Sequence, residues 1–131
     1  MRVLLIGEFS SLHKFLKEGL LELGNIDVFL AANGDGWKKI GGNDSLLHNN
    51  RYAYEYKNFK KLYTMLVEPY KIAKQFVDYD VVQFINTSVY SISINENLMS
   101  KIARKNKCVS LVAAGDDYRL YQAYKDNRFD Y

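Results

Sequence analysis

The stretch Val3-Leu4-Leu5-Ile6-Gly7-Glu8-Phe9-Ser10-Ser11, with the periodic run from Leu12 to Gly24 behind it, decides the fold. Four consecutive apolar residues closed by a glycine predict a strand covered on both faces, because a half-exposed strand would alternate. Leu12, Phe15, Leu16, Leu20 and Leu23 then recur at three- and four-residue steps, which predicts one buried helix face opposite Lys14, Lys17, Glu18 and Glu22. Ser10 or Ser11 is placed to cap the first amides, and Gly24 to take a left-handed stop. Buried strand, short polar turn and amphipathic helix make the first βα unit of an open parallel sheet, where ligands gather at the carboxyl ends of the strands.

Working outward, Val28-Phe29-Leu30-Ala31-Ala32 predicts a second parallel strand, ending in the turn Asn33-Gly34-Asp35-Gly36-Trp37. A long polar connection follows to Arg51, and Tyr52, Tyr54 and Tyr56 alternate as a short edge strand would. Phe59, Leu62, Tyr63, Leu66, Tyr70, Ala73 and Val77 predict a long helix that Pro69 bends or divides near Val67-Glu68. Val81-Val82-Gln83-Phe84-Ile85 is a third strand. Ser93-Ile94-Asn95-Glu96 reads as a capping box for a helix that turns Leu98, Met99 and Ile102 inward. Cys108 to Ala113 is a fourth strand, and an Asp of the segment Gly115-Asp116-Asp117 is placed to cap a final helix containing Tyr118, Leu120, Tyr121 and Tyr124. The order predicts an α/β fold: a Rossmann-like open parallel sheet with helices on both faces.

The 131 residues fit one domain, and the 48% apolar and 25% charged fractions are those of a globular protein. A net charge of +3, with cations scattered among acids, argues against nucleic acid and leaves only a weak peripheral contact with an anionic membrane. The single Cys108 excludes an internal disulfide and a cysteine zinc cluster, and reads as a buried small residue in a reducing compartment. There is no apolar run long enough to span a bilayer and no secretory signal, so a cytoplasmic location is expected. Eleven tyrosines and seven phenylalanines exceed what a minimal core needs, and suit a wet groove or a surface covered by another domain.

Four parallel strands would present on one rim Glu8, Ser10, Ser11 and His13, then Asn33, Asp35 and Trp37, then Asn86 and Thr87, then Asp116 and Asp117. Hydroxyls, amides and carboxylates beside an indole suit a polyhydroxylated ligand such as a saccharide. Each has a plainer reading: Ser10 and Ser11 as caps, His13 as a solvated surface residue, Asp35 as a turn former, and Asp116 or Asp117 as a cap rather than a general base. Gly7-Glu8-Phe9-Ser10-Ser11 stands where a dinucleotide fingerprint would, and neither a P-loop nor a nucleophile elbow occurs, so no cofactor is expected. Neither His13 nor His48 has the spacing of a metal site.

The segments Val3 to Lys14, Lys17-Glu18-Gly19-Leu20, Gly34-Asp35-Gly36-Trp37-Lys38, Tyr79-Asp80-Val81-Val82-Gln83 and Gly115-Asp116-Asp117-Tyr118 together resemble the N-terminal half of bacterial glycosyltransferases of the two-lobed GT-B type. The resemblance is strongest to the family-four-like enzymes of surface polysaccharide assembly, and it spans nearly all of the chain. It implies that residues 1–131 form the acceptor-binding lobe, taking a glycan or lipid-linked acceptor. The nucleotide-sugar donor would bind a C-terminal lobe through a Glu-x(7)-Glu motif, with retention of configuration. This lobe by itself would then be inactive as a hexosyltransferase. Two departures stand out: Glu8-Phe9-Ser10-Ser11 replaces the glycine-rich turn of many relatives, and Asp116 stands where many carry a histidine. From a different class comes the alternative of a freestanding small α/β binding or regulatory domain acting through a Tyr-rich protein-protein surface.

Overall fold

The structure is a computed structural model that describes residues 1–32, 59, 62, 63, 66–86, 89, 90, 92–114, 122, 123, 125 and 126. Its elements are β1 (Arg2–Ile6), α1 (Leu12–Glu22), β2 (Asp27–Ala31), α2 (Glu68–Ala73), β3 (Val81–Ile85), α3 (Ile92–Ala103) and β4 (Cys108–Val112). The four strands form one parallel sheet in the order β2-β1-β3-β4, with α1 on one face and α2 and α3 on the other. This is the Rossmann-like α/β architecture that the sequence predicts. The edge strand expected at Tyr52–Tyr56 lies outside the described residues, as do Tyr118, Leu120, Tyr121 and Tyr124 of the final helix.

The central strand has the burial its composition demands. Leu4 and Ile6 are fully enclosed against Ala73, Phe76, Tyr90, Leu98 and Ile102, while Val3 and Leu5 face Leu16, Leu20 and Val28. Burying apolar surface on both sides of one strand, at about 25 cal/mol per Å², is the main force fixing β1 at the centre.

The helical stripes are narrower than their periodicity suggests. On α1 it is His13, Leu16 and Leu20 that face the sheet, whereas Phe15 is 63% and Leu23 75% exposed. The helix packs mainly on β1 and β2, and five apolar positions span more of its circumference than that surface can accept. Pro69 divides the next helical region as expected, with Val67 in a turn and Pro69 in the first turn of α2. That helix stops at Ala73 instead of reaching Val77, and the turn after it buries Phe76. Upstream, Phe59, Leu62 and Tyr63 are exposed, so the predicted apolar face meets the core only from Leu66 onward.

Local hydrogen bonds replace one expected cap and tie the strand entrances together. The α3 helix begins at Ile92, so Ser93 lies inside it and heads no capping box; Asn95 Oδ1 instead accepts the amides of Val89 and Tyr90, fixing the turn that leads in. At the amino ends of the strands, Asn106 accepts the Tyr79 amide through Oδ1 and donates through Nδ2 to the carbonyls of Phe76 and Ile102. Nearby, Asp80 accepts the Arg2 amide at 2.7 Å and the Lys107 ammonium at 2.7 Å; the Lys107 hydrogen bond is the main cause of its lowered proton affinity. Cys108, expected to be buried, is exposed, because it opens the strand at the end of the described sheet order.

Among the described residues two glycines adopt positive φ, Gly7 at +89° and Gly24 at +71°, and of these Gly7 is the crowded one: a Cβ there would lie 2.7 Å from Ile85 Cγ2. Gly24→Ala is expected to cost about 1 kcal/mol from backbone strain alone, and Gly7→Ala about 3 kcal/mol from strain plus overpacking. Urea unfolding of the two variants measures the difference, and equal losses would contradict the close approach of β1 and β3.

Candidate functional site

The parallel registers set Ile6 level with Ala31 and Phe84, and Ile85 level with Val112, so all four carboxyl ends open on one rim. From β1 the chain crosses to β2 on one side and later to β3 on the other, and the crevice at such a reversal of strand order is where ligands bind in open α/β sheets. Glu8, Ser10, Ser11 and His13 follow β1 at this rim and Asn86 follows β3. Asp35, Trp37, Asp116 and Asp117 lie outside the described residues, as do Asn33 and Thr87.

Asn86 takes φ +65° and joins two strand ends: its amide donates to Val112 O at 2.8 Å and its Oδ1 accepts the Ala114 amide at 2.7 Å. Its side-chain oxygen therefore shapes the crevice.

Glu8 is buried, and its carboxylate does the work expected of the serines. Oε1 accepts the amides of Phe9 (2.8 Å) and His13 (3.2 Å), and Oε2 accepts that of Lys14 (2.9 Å). Ser11 occupies the position before the helix at φ +67° with no capping bond from its side chain, and Ser10 has φ +50°. These left-handed conformations wrap the chain so that a carboxylate three residues before Ser11 reaches the first turn. A helix N-terminus attracts anions through its free amides and its dipole. Here the chain's own carboxylate already occupies them.

His13 is fully buried, which corrects the reading of a solvated surface residue. Its Nδ1 lies 2.8 Å from the Gly7 carbonyl, which can only accept, so Nδ1 carries the proton and Nε2 in the neutral ring is an acceptor. Burial pushes its proton affinity below the ordinary 6.5, opposed by the Gly7 carbonyl, the Glu8 carboxylate and Gln83. Nε2 and Gln83 Oε1 are both buried without a hydrogen-bond partner, as two facing acceptors must be, while Gln83 Nε2 donates to Ser110 Oγ at 3.3 Å. Protonating Nε2 would create the missing donor. Alternatively, exchanging the oxygen and nitrogen of the Gln83 amide gives neutral His13 a donor and lets Ser110 donate to Gln83, satisfying every group.

Gln83 and Ser110 are absent from the sequence-derived candidates, though a signal existed. Each is the third residue of an otherwise apolar five-residue strand, and the β3–β4 register pairs them directly. Among the described residues no group of three or more His, Cys, Asp or Glu is arranged to hold a metal ion, and no helix is long and apolar enough to cross a membrane.

Comparison with protein-family models, with curated proteins and with solved structures finds no match to this chain.

Because unfolded His13 regains its ordinary proton affinity, the unfolded chain binds more protons than the folded one between 6.5 and the lowered folded value. The stabilising contribution is therefore complete above about pH 6.5 and declines as pH falls through that window. Unfolding by urea at pH 7.5 and 5.5 should show this loss, and His13→Gln should flatten it. Glu8→Ala, which leaves three amides without their acceptor, should cost about 2–3 kcal/mol at pH 7; a loss under about 0.5 kcal/mol would refute the capping role.

Proposed function

We propose that this chain is the acceptor-binding, Rossmann-like lobe of a nucleotide-sugar-dependent glycosyltransferase of the two-lobed GT-B type, serving surface polysaccharide or glycoconjugate synthesis. The observation that carries the reading is the reversal of strand order between β1 and β3, with all four carboxyl ends level, which gathers distant polar residues around one crevice. Occupation of the α1 amides by Glu8 supports an acceptor role over a diphosphate role, since a ligand phosphate would meet a carboxylate where it needs donors. A neutral polyol suffers no such repulsion. The donor would be held by a second lobe, whose cationic groups would stabilise the departing diphosphate. Residues of this lobe would orient the attacking hydroxyl, with Asp35, Trp37, Asp116 and Asp117 as the further candidates from the sequence.

The alternative, a small binding domain working through a protein-protein surface, is favoured by the apolar side chains left open on two flanks. Phe9, Leu12 and Phe15 are exposed around the start of α1, and Val109 and Leu111 on β4.

Titration of the isotopically labelled full chain with maltotriose and with octyl glucoside tests the first reading. Saturable shifts should appear at the amides of Gly7, Glu8, Asn86 and Ala114, while inorganic phosphate should leave those of Phe9, His13 and Lys14 unmoved. Saccharides that shift no rim amide, together with concentration-dependent self-association or capture of a protein ligand on the apolar flanks, would move the assignment to the alternative.

A further inference from the structure

The face of the sheet opposite α1 carries a groove of ≈280 Å³ between α2 and α3, lined by Tyr70, Ala73, Lys74, Leu98, Lys101 and Lys105. The α3 helix leaves the carboxyl end of β3 and returns to the amino end of β4, so its second half lies away from the rim described above. We propose that this groove binds a phosphate-bearing ligand that also has an apolar portion, a function separate from the acceptor crevice.

Three lysines line it from two segments: Lys74 just after α2, Lys101 in α3 and Lys105 just beyond it. Among the described residues no carboxylate lines the groove and none pairs with these three lysines, whereas Lys14 meets Glu18 and Lys107 meets Asp80 elsewhere on the surface. Unpaired like charges repel one another, and a dianionic phosphate placed among them removes that repulsion while gaining charge-assisted hydrogen bonds. The walls supply the second half of the specificity. Tyr70, Ala73 and Leu98 form an apolar floor, and the Tyr70 ring is held from two directions: its hydroxyl donates to Asn97 Oδ1 at 3.2 Å, and the Lys101 ammonium sits 4.8 Å from its centroid. The phosphate would take its place among the lysines while the apolar portion lies on Tyr70 and Leu98. Lys105 also borders an adjoining open hollow lined by Arg104, Lys107 and Asp78, where Lys107 is already paired with Asp80, so the unpaired cations belong to the groove itself.

An organic phosphate in solution and the headgroup of an anionic lipid share this chemistry, so the test has one arm for each. The labelled full chain is titrated with phenyl phosphate, and its binding to phosphatidylglycerol-containing vesicles is compared with binding to phosphatidylcholine vesicles. All four lysines mutated are at exposed or half-buried positions, and unchanged melting temperatures verify that the variants fold. Saturable shifts confined to Tyr70, Lys74, Leu98 and Lys101, weakened about tenfold in the Lys101→Gln/Lys105→Gln double variant, support a soluble ligand. Selective sedimentation with the anionic vesicles, lost in the same variant, supports a lipid headgroup. The Lys14→Gln/Lys17→Gln double variant removes the same charge from α1 and should change either readout less than twofold. An equal loss in that control, shifts scattered over the lysines at large, or no response to either probe overturns the site. None of these outcomes bears on saccharide binding at the rim, which is read from different amides.

Discussion

A carboxylate taken out of water must be met by donors, and that requirement at Glu8 sets the local geometry around it. The pairing has three structural consequences. It fixes where α1 begins, because the amides of His13 and Lys14 are held by one side chain. It forces the intervening Ser10 and Ser11 into left-handed conformations. It also directs the His13 ring beneath the helix onto the Gly7 carbonyl. The uncompensated cost of burying such a charge is several kcal/mol, so the turn has little freedom to adopt another path while the carboxylate stays paired.

The fold was legible where burial alone decides. The run Val3 to Ile6 needs two covered faces, and a parallel sheet with helices on each side is the simplest structure that provides them. What could not be read were features set by distance in space. Glu8 as a cap depends on a backbone reversal that serines rarely adopt, so a sequence rule that looks for Ser immediately before a helix finds the right place and the wrong side chain. Phe15 matches the helical period but falls one step around from the surface that β1 and β2 offer. Asn106 and Asn95 look like ordinary loop and helix residues, yet each accepts or donates two or more bonds that align neighbouring segments. Of the rim candidates, the structure brings the Glu8–His13 turn and Asn86 to one end of the sheet and gives Glu8, His13 and the Asn86 oxygen structural partners within the chain.

The two faces of the sheet are covered unequally. On one side Leu4, Ile6, Val82 and Phe84 are sealed by α2 and α3, while further along the same face Val109 and Leu111 border an open groove of ≈270 Å³ beside Met99 and Ala103. On the other side α1 packs on β2 and β1 and reaches β3 through His13, which meets Gln83, itself bonded to Ser110 on β4.

A glutamine amide has nearly the same outline whichever way it points, while its two ends have opposite hydrogen-bonding character. Set between His13 and Ser110, Gln83 fits a protonated imidazole with its oxygen toward the ring and a neutral one with its nitrogen there, the same outline serving both.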